Sequence, residues 1–256
     1  MRDLKTLVTS FMFLCSCSCL CAQNTVPKRV VVLSPALLQT LKDVGLEDNV
    51  VCAAEPFKDT RHKIKSVGYY HRPSTEIIVS CKPDLIIVTY AGTPPDVYQK
   101  LKNMGYRIII EKSQNIEAIK IFIKKISKEF NIKTPPILKE FDSACTKKKA
   151  KTTAVVLVGL DPMFGAGDKT FVSSALACAG IDNKISGEYL RLGIENIIAK
   201  NPEMIIIASD GPEQFKDYKE LKKHFKKIVV MPPDILLEPS SKILKGIERL
   251  KSELKD

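Results

Sequence analysis

The segment from Val67 to Glu76 reads VGYYHRPSTE and concentrates side chains that can contact a ligand. Tyr69 and Tyr70 offer aromatic surfaces with a polar hydroxyl group, and His71 carries a nitrogen that can bind a metal. The residues alone leave three interpretations open: a ligand site, an active site, or an exposed loop with this composition.

Catalytic and metal-binding patterns are weak along the rest of the chain. The segment GAGDKT (165–170) lacks the third glycine of a dinucleotide loop and the Gly-Lys-Ser/Thr of a phosphate loop. There is no G-x-S-x-G segment, and the three histidines belong to no cluster with ligand spacing for a free metal ion. We therefore expect no enzyme, no catalytic cofactor and no free-metal site; a secreted α/β enzyme is the distant alternative.

The formal net charge of +11 raises the question of nucleic-acid binding. The lysines, however, lie mostly on stretches such as KDYKELKKHFKK (216–227), where they alternate with apolar positions as on a solvated helix face. We therefore predict no nucleic-acid partner.

Residues 1–22 have the layout of a secretory signal, with Arg2 and Lys5 before a short apolar run and small residues after it. Leu14-Cys15-Ser16-Cys17 also resembles a lipoprotein box, which would place a lipid on Cys17. The sequence therefore predicts a periplasmic protein, or an extracytoplasmic protein that is lipid-anchored through Cys17.

Four cysteines remain after the signal, and they are far apart in the sequence. None of them forms a CxxC pair, which argues against a zinc site and a thioredoxin-like motif. We expect buried free thiols, with a single disulfide as the alternative. The four are Cys52, Cys81, Cys145 and Cys178.

Apolar runs alternate with helical patterns, which predicts an α/β fold with parallel strands. Unbroken runs such as RVVVLS (29–34) are typical of strands buried on both faces. The alternation stops near Ser113 and restarts at TTAVVLVG (152–159). We predict an N-terminal lobe over 26–133, a linker helix over 134–151 and a C-terminal lobe over 152–256.

The two predicted lobes repeat one unit. TEIIVSCKPDLIIVTY in the first matches IENIIAKNPEMIIIAS in the second, and Glu76 and Glu195 each stand seven residues before a proline. Two similar lobes joined by a linker leave a cleft, where ligand sites are often found.

Five stretches in this order resemble the helical-backbone (class III) substrate-binding proteins of bacterial ABC importers, which handle cobalamin, haem and iron–siderophore complexes. The resemblance implies two Rossmann-like lobes with parallel sheets, joined by a single long helix, with a ligand cleft between them. The stretches are PKRVVVLSPALLQTLKDVGLEDNVVCA, VGYYHRPSTEIIVSCKPDLII, GAGDKTFVSSALACAGIDNKI, YLRLGIENIIAKNPEMIII and PPDILLEPSSKILKGIERL.

In that family, a glutamate at the tip of each lobe pairs with arginines of the membrane permease, and Glu76 and Glu195 match these positions. Complementary charges at a docking rim fix orientation and speed encounter. A carboxylate in the first turn of a helix also compensates the helix dipole, which is the alternative role. The resemblance thus implies a monomer that docks on a permease dimer of the inner membrane.

Cobalamin is the ligand that the resemblance favours first. Tyr70 and Tyr189, each six residues before its glutamate, match aromatic contacts of the cobalamin-binding members, and Tyr90 lies one residue beyond another. Asp234 matches a polar contact, but Glu238 replaces a nearby arginine, and the tryptophans common in such clefts are absent. Met163 and Phe164 are predicted to form the opposite wall.

Haem is the alternative cargo, because the haem-binding members carry a VGYMR-like segment whose tyrosine binds iron. Tyr69 takes that position here, and His71 is a second possible axial ligand. Against haem, LLEPSSKI stands where those members carry a glycine-rich turn. An iron–siderophore complex is third, with Arg72, Arg107 and Arg191 as candidate partners for its carboxylates.

Overall fold

The computed structural model describes residues 26–58, 60–145 and 150–255. The predicted signal and Cys17 lie outside these residues. The chain forms two lobes, each with one β-sheet, and helices cover both faces of each sheet.

The N-terminal lobe has a five-stranded parallel sheet with the order β3-β2-β1-β4-β5. Alternate residues of β1 face opposite sides: Val30 and Val32 pack with α1, whereas Val31 packs with α2 and α3. Burial on both faces explains the unbroken apolar run. The elements are β1 Val30–Val32, α1 Pro35–Asp43, a 3₁₀ turn Glu47–Asn49, β2 Val50–Glu55, β3 Lys65–Tyr69, α2 Thr75–Ser80, β4 Leu85–Thr89, α3 Pro95–Asn103 and β5 Ile108–Glu111.

The C-terminal lobe has a six-stranded sheet, which is mixed rather than parallel. Strands β10 and β11 run parallel to β6, but β7 pairs antiparallel with β6, and β9 antiparallel with β7. The elements are β6 Thr152–Leu160, β7 Met163–Ala166, α6 Phe171–Ala179, β8 Ile181–Asn183, β9 Tyr189–Arg191, α7 Ile194–Lys200, β10 Met204–Ala208, a 3₁₀ turn Pro212–Gln214, α8 Lys216–His224, β11 Ile228–Met231, α9 Pro233–Leu236 and α10 Ile243–Ser252.

The segment after β6, which the sequence predicted as a loop, contains β7 and forms a hairpin with β6. The strands β7 and β9 are too short to show an apolar alternation in the sequence, which is why they were not predicted. Only Asp161 and Pro162 separate β6 from β7, and a two-residue connection makes neighbouring strands antiparallel. The hairpin moves one edge of the second sheet away from the simple parallel pattern.

Two helices, α4 (Ile116–Glu129) and α5 (Ile137–Ala144), connect the lobes. Ile119 and Ile123 of α4 join the core of the C-terminal lobe, whereas Phe122 and Ile126 join the core of the N-terminal lobe. The predicted linker 134–151 contains α5, whose buried residues pack only with the C-terminal core. The helix that both lobes share is therefore α4.

The prediction of buried free thiols is wrong, because the four cysteines form two disulfides. Cys52 of β2 bonds Cys81 at the end of α2, and Cys145 after α5 bonds Cys178 of α6. The bonded partners are 29 and 33 residues apart in the sequence. Only the packing of each helix against its neighbours brings these sulfur atoms together.

Candidate functional site

Two adjoining cavities of about 480 and 560 Å³ lie between the lobes. Both are lined by Thr89 and Ala91 of the N-terminal lobe and by Leu237 and Pro239 of the C-terminal lobe. We call the first the inner cavity and the second the outer cavity; together they form the cleft.

The cleft lies where the parallel strands end. Thr89 ends β4 and Glu111 ends β5, while Asp210 and Pro233 follow β10 and β11 of the second sheet. Open α/β sheets bind ligands at the carboxyl ends of their strands, because the loops there are free to vary. The positions of these cavities follow from the order of the strands.

Three of the predicted tyrosines line the cleft. Tyr70 lines the inner cavity, and Tyr90 and Tyr189 line the outer cavity from opposite lobes. Their exposed fractions are 39%, 56% and 55%, which is high for aromatic side chains. A β-carbon at Gly92 would lie 3.2 Å from a ring carbon of Tyr70, so glycine lets that ring approach the backbone closely. Exposed aromatic rings on both sides of a cleft suit a flat ligand.

Tyr69 and His71 line neither cavity. Their rings stack on each other with centroids 5.9 Å apart, and both side chains are exposed. The Tyr70 ring also contacts the His71 ring edge-on, with centroids 5.2 Å apart, but of the three residues Tyr70 alone lines the cleft.

The predicted opposite wall is formed by other residues than Met163 and Phe164. Met163 is 4% exposed and belongs to the core, so its side chain does not meet the cleft. Phe164 is on the other face of β7, is partly exposed, and lines neither cavity. Alternation along β7, which was not predicted, explains both positions. The C-terminal wall comes from Phe171, Tyr189, Leu237 and Pro239.

The inner cavity is acidic on the side of the C-terminal lobe, where Asp210, Asp234 and Glu238 line it. Lys242 lies behind them, with its Nζ 3.3 Å from Asp234 Oδ2 and 3.2 Å from Glu238 Oε2. Burial raises the pKa of the Glu238 carboxyl, and the Lys242 ammonium offsets part of that rise. Glu238, which the resemblance predicted to replace an arginine, thus adds a third carboxyl group to the inner cavity.

Glu111 is a cleft residue that the sequence did not reveal. It lines the outer cavity and is only 4% exposed. Its Oε1 has no hydrogen-bond partner among the described residues. Burial raises the pKa of the Glu111 carboxyl, while hydrogen bonds from Ser113 and Thr89 act against the rise. The apolar run YRIIIE (106–111) gives no sign that its last residue is buried.

Glu76 and Glu195 are both exposed in the first turn of a short helix, α2 and α7 respectively. The hydroxyl of Ser74 donates a hydrogen bond to Glu76 Oε2 at 3.0 Å. Hydrogen bonding from its own backbone N–H and from Ser74 lowers the pKa of Glu76. The Glu195 carboxylate has no hydrogen bond or ion pair within the described part of the chain.

Within the described residues, no three histidine, cysteine or acidic side chains stand close enough to hold a metal ion together. In the same residues, no helix is both long and apolar enough to cross a bilayer.

Residues 30–131 match the family model described as periplasmic binding protein. A vitamin B12-binding protein of Photorhabdus laumondii is 24% identical over 249 residues, covering 90% of this chain and 89% of its own. Among solved structures, the periplasmic vitamin B12-binding protein BtuF of Vibrio cholerae has a TM-score of 0.75 at 18% identity, covering 90% of this chain and 97% of its own.

The haem-binding protein HutB of Vibrio cholerae is similar in the same way, with a TM-score of 0.74 at 16% identity, covering 89% of this chain and 99% of its own. Similarity at this level of identity shows a shared fold. The resemblance drawn from the five stretches is confirmed at the level of the fold: the chain shares the two-lobed fold of these binding proteins, and residues 30–131 match the periplasmic binding protein family model.

Proposed function

We propose that this protein is an exported solute-binding protein that captures cobalamin or a related corrinoid and delivers it to an ABC transporter permease. The observation that carries the proposal is the cleft, which has tyrosines on both lobes and carboxylates that line the inner cavity. The relatives named vitamin B12-binding protein support the same ligand.

The charges of the inner cavity favour a corrinoid over haem. Haem carries two propionates, and a site for them needs unpaired cations. Here three carboxylates line the inner cavity, and the adjacent ammonium of Lys242 is shared by Asp234 and Glu238. Cobalamin carries neutral amides around its ring, whose N–H groups donate hydrogen bonds to carboxylates.

The outer cavity contains the features that favour haem, the second candidate. Lys112 and Lys169 line it and can meet propionates. However, the Lys112 ammonium lies 5.1 Å from the centroid of the Tyr90 ring, in contact range of its face. Tyr69, the expected axial ligand, lies outside both cavities. Haem therefore remains the alternative, with the iron–siderophore complexes after it.

The arginines suggested for a siderophore have little support from their positions. Arg72, Arg107 and Arg191 line neither cavity, and Arg107 forms an ion pair with Glu129. A carboxylate-rich chelate would thus meet more acidic than basic side chains in the inner cavity.

Titration calorimetry and absorption spectra with cobalamin and, separately, haemin test the proposal. We expect binding heat with cobalamin, and weaker binding in Tyr70→Ala and Tyr189→Ala. Ile121→Ala is the control, since it shortens an exposed apolar side chain of α4 outside the cleft. A haemin Soret shift that is lost in Tyr69→Ala, without cobalamin heat, would overturn the first choice in favour of haem.

A further inference from the structure

The outer cavity contains a buried carboxyl group that the fold itself does not require. Glu111 ends β5, the last strand of the N-terminal lobe, and pairs with Thr89 of β4. Met231 ends β11 and pairs with Ala208 of β10 in the same manner. The two residues therefore occupy equivalent places in the two lobes.

The backbone hydrogen bonds confirm the equivalence. The carbonyl of Glu111 accepts from the N–H of Tyr90, and the carbonyl of Met231 accepts from the N–H of Ser209. Tyr90 directly follows β4, which pairs with β5, and Ser209 directly follows β10, which pairs with β11. Because the C-terminal lobe fills the position with a fully buried methionine, an apolar side chain satisfies the fold there.

A carboxyl at such a position is costly. Burying a charged group without a partner lowers stability, unless the group is paired or stays protonated. Thr89 and Ser113 contribute hydrogen bonds, but Oε1 stays unpartnered, and no salt bridge from a lysine or arginine reaches Glu111 within the described residues. Glu111 lines the outer cavity, while its unpartnered Oε1 is closed off from solvent, so the carboxyl group must turn toward the cavity to accept a hydrogen bond from a ligand.

We propose that Glu111 is a specificity-determining residue of the outer cavity, which accepts a hydrogen bond from an N–H donor on the rim of the ligand and rejects ligands with a carboxylate there. The inference rests on the proposed function and names the part of the ligand concerned: a primary amide of the corrin periphery. Lys112 and Lys169 line the same cavity, so the rejection is local to Glu111: two carboxyl groups that share a low-dielectric site cannot both ionise without repulsion.

The test compares cobalamin with a corrinoid in which a peripheral amide has been hydrolysed to a carboxylate. Calorimetry at neutral pH should show that the wild-type protein binds the amide form at least about tenfold more tightly, as for a lost hydrogen bond to a charged group. Glu111→Met, which copies the other lobe, should weaken amide binding and remove the preference. Glu111→Gln should also remove the preference, because its amide donates to a carboxylate and still accepts from an amide.

Glu213→Gln is the matched control, since it removes one exposed acid outside both cavities and should keep the wild-type ratio. An unchanged ratio in Glu111→Met, with cobalamin still bound by the wild type, would overturn the role of Glu111 alone. Equal wild-type affinities for the two corrinoids would do the same. If the wild type binds neither corrinoid, the proposed function fails together with this inference.

Discussion

The two lobes place a cleft tyrosine six residues before an exposed glutamate, yet they do so on different backbones. In the N-terminal lobe, Tyr70 follows the parallel strand β3 and faces the inner cavity. In the C-terminal lobe, Tyr189 begins the antiparallel strand β9 and faces the outer cavity.

The N-terminus of the helix that follows each tyrosine is capped differently in the two lobes, and only in the N-terminal lobe does the cap also bond the glutamate. Ser74 caps α2 by accepting from the N–H of Ile77, and its hydroxyl also donates to Glu76. Gly193 precedes α7, and its N–H is instead bonded by the side chain of Asn196. A repeated spacing therefore preserves the distance along the chain between two functional groups, whereas each lobe builds its own local geometry.

The largest effect is expected at the two glutamates if both lobes dock on the permease. Glu76→Ala with Glu195→Ala should abolish the stimulation of the cognate transporter's ATPase activity, because both charges that would orient the protein on the permease are lost. Cobalamin affinity should stay unchanged. Of the single variants, Glu76→Ala should cost more, since Ser74 already orients this carboxylate. Glu213→Ala serves as the control, and full stimulation by the double variant would contradict docking through these residues.

Each lobe contains one disulfide, so removing them one at a time shows how much each lobe gains in stability from its own disulfide. Cys52→Ala with Cys81→Ala, and Cys145→Ala with Cys178→Ala, should each lower the free energy of unfolding by about 2–4 kcal/mol. The closed loops are nearly equal in length, so packing should decide the difference. Cys52 and Cys81 are 2% and 5% exposed, so the first pair should cost more. Urea unfolding measures both, and a larger loss from the second pair would reverse this order.

Glu111→Gln should stabilise the protein at neutral pH by about 1–3 kcal/mol, because the buried carboxylate is then replaced by a neutral group. The pKa of Glu111 is raised in the folded state, so the folded protein holds this proton more tightly than the unfolded chain. The destabilising contribution of Glu111 to the free energy of unfolding of the wild type therefore decreases as the pH falls through the raised pKa. The advantage of Glu111→Gln should therefore shrink on acidification.

Thermal unfolding from pH 7 down to pH 4 measures this change, and Met231→Leu gives a pH-independent reference at the equivalent place in the other lobe. A stabilisation by Glu111→Gln that persists unchanged at acidic pH would show that its cause is not the carboxylate charge.

The smallest effect concerns the cleft tyrosines. Tyr70→Ala and Tyr189→Ala should each weaken cobalamin binding about tenfold, the size of one lost aromatic contact of about 1.4 kcal/mol. Tyr70→Phe and Tyr189→Phe should lose less, since the ring face is retained. Calorimetry measures all four, and an effect confined to one lobe would mean that the ligand contacts a single cavity.

Much of the fold could be predicted from the sequence, because its signals are local. Unbroken apolar runs indicated the parallel strands, and the repeated glutamate and proline indicated two lobes. The hairpin formed by β6 and β7 escaped prediction, because four residues such as Met163–Ala166 are too few to show a period. The error at Met163 followed from that omission, since its face of the sheet depends on the strand that contains it.

The candidate site was predicted in part. Tyr70, Tyr90 and Tyr189 were placed in a cleft between the lobes, and they line one. Glu111 was missed because it closes an apolar strand and belongs to no motif. Its burial and its unpartnered Oε1 are properties of the folded chain that its neighbours in the sequence do not show.

The sequence by itself determined the strand and helix pattern, the two-lobed class and the spacing of Tyr70 and Tyr189 from their glutamates. These features rest on periodicity and on neighbours close along the chain. The tertiary structure alone decided which cysteines pair, which helix both lobes share and which carboxyl groups face the cleft. Each of those depends on contacts between residues far apart in the sequence, and such contacts follow from packing rather than from local pattern.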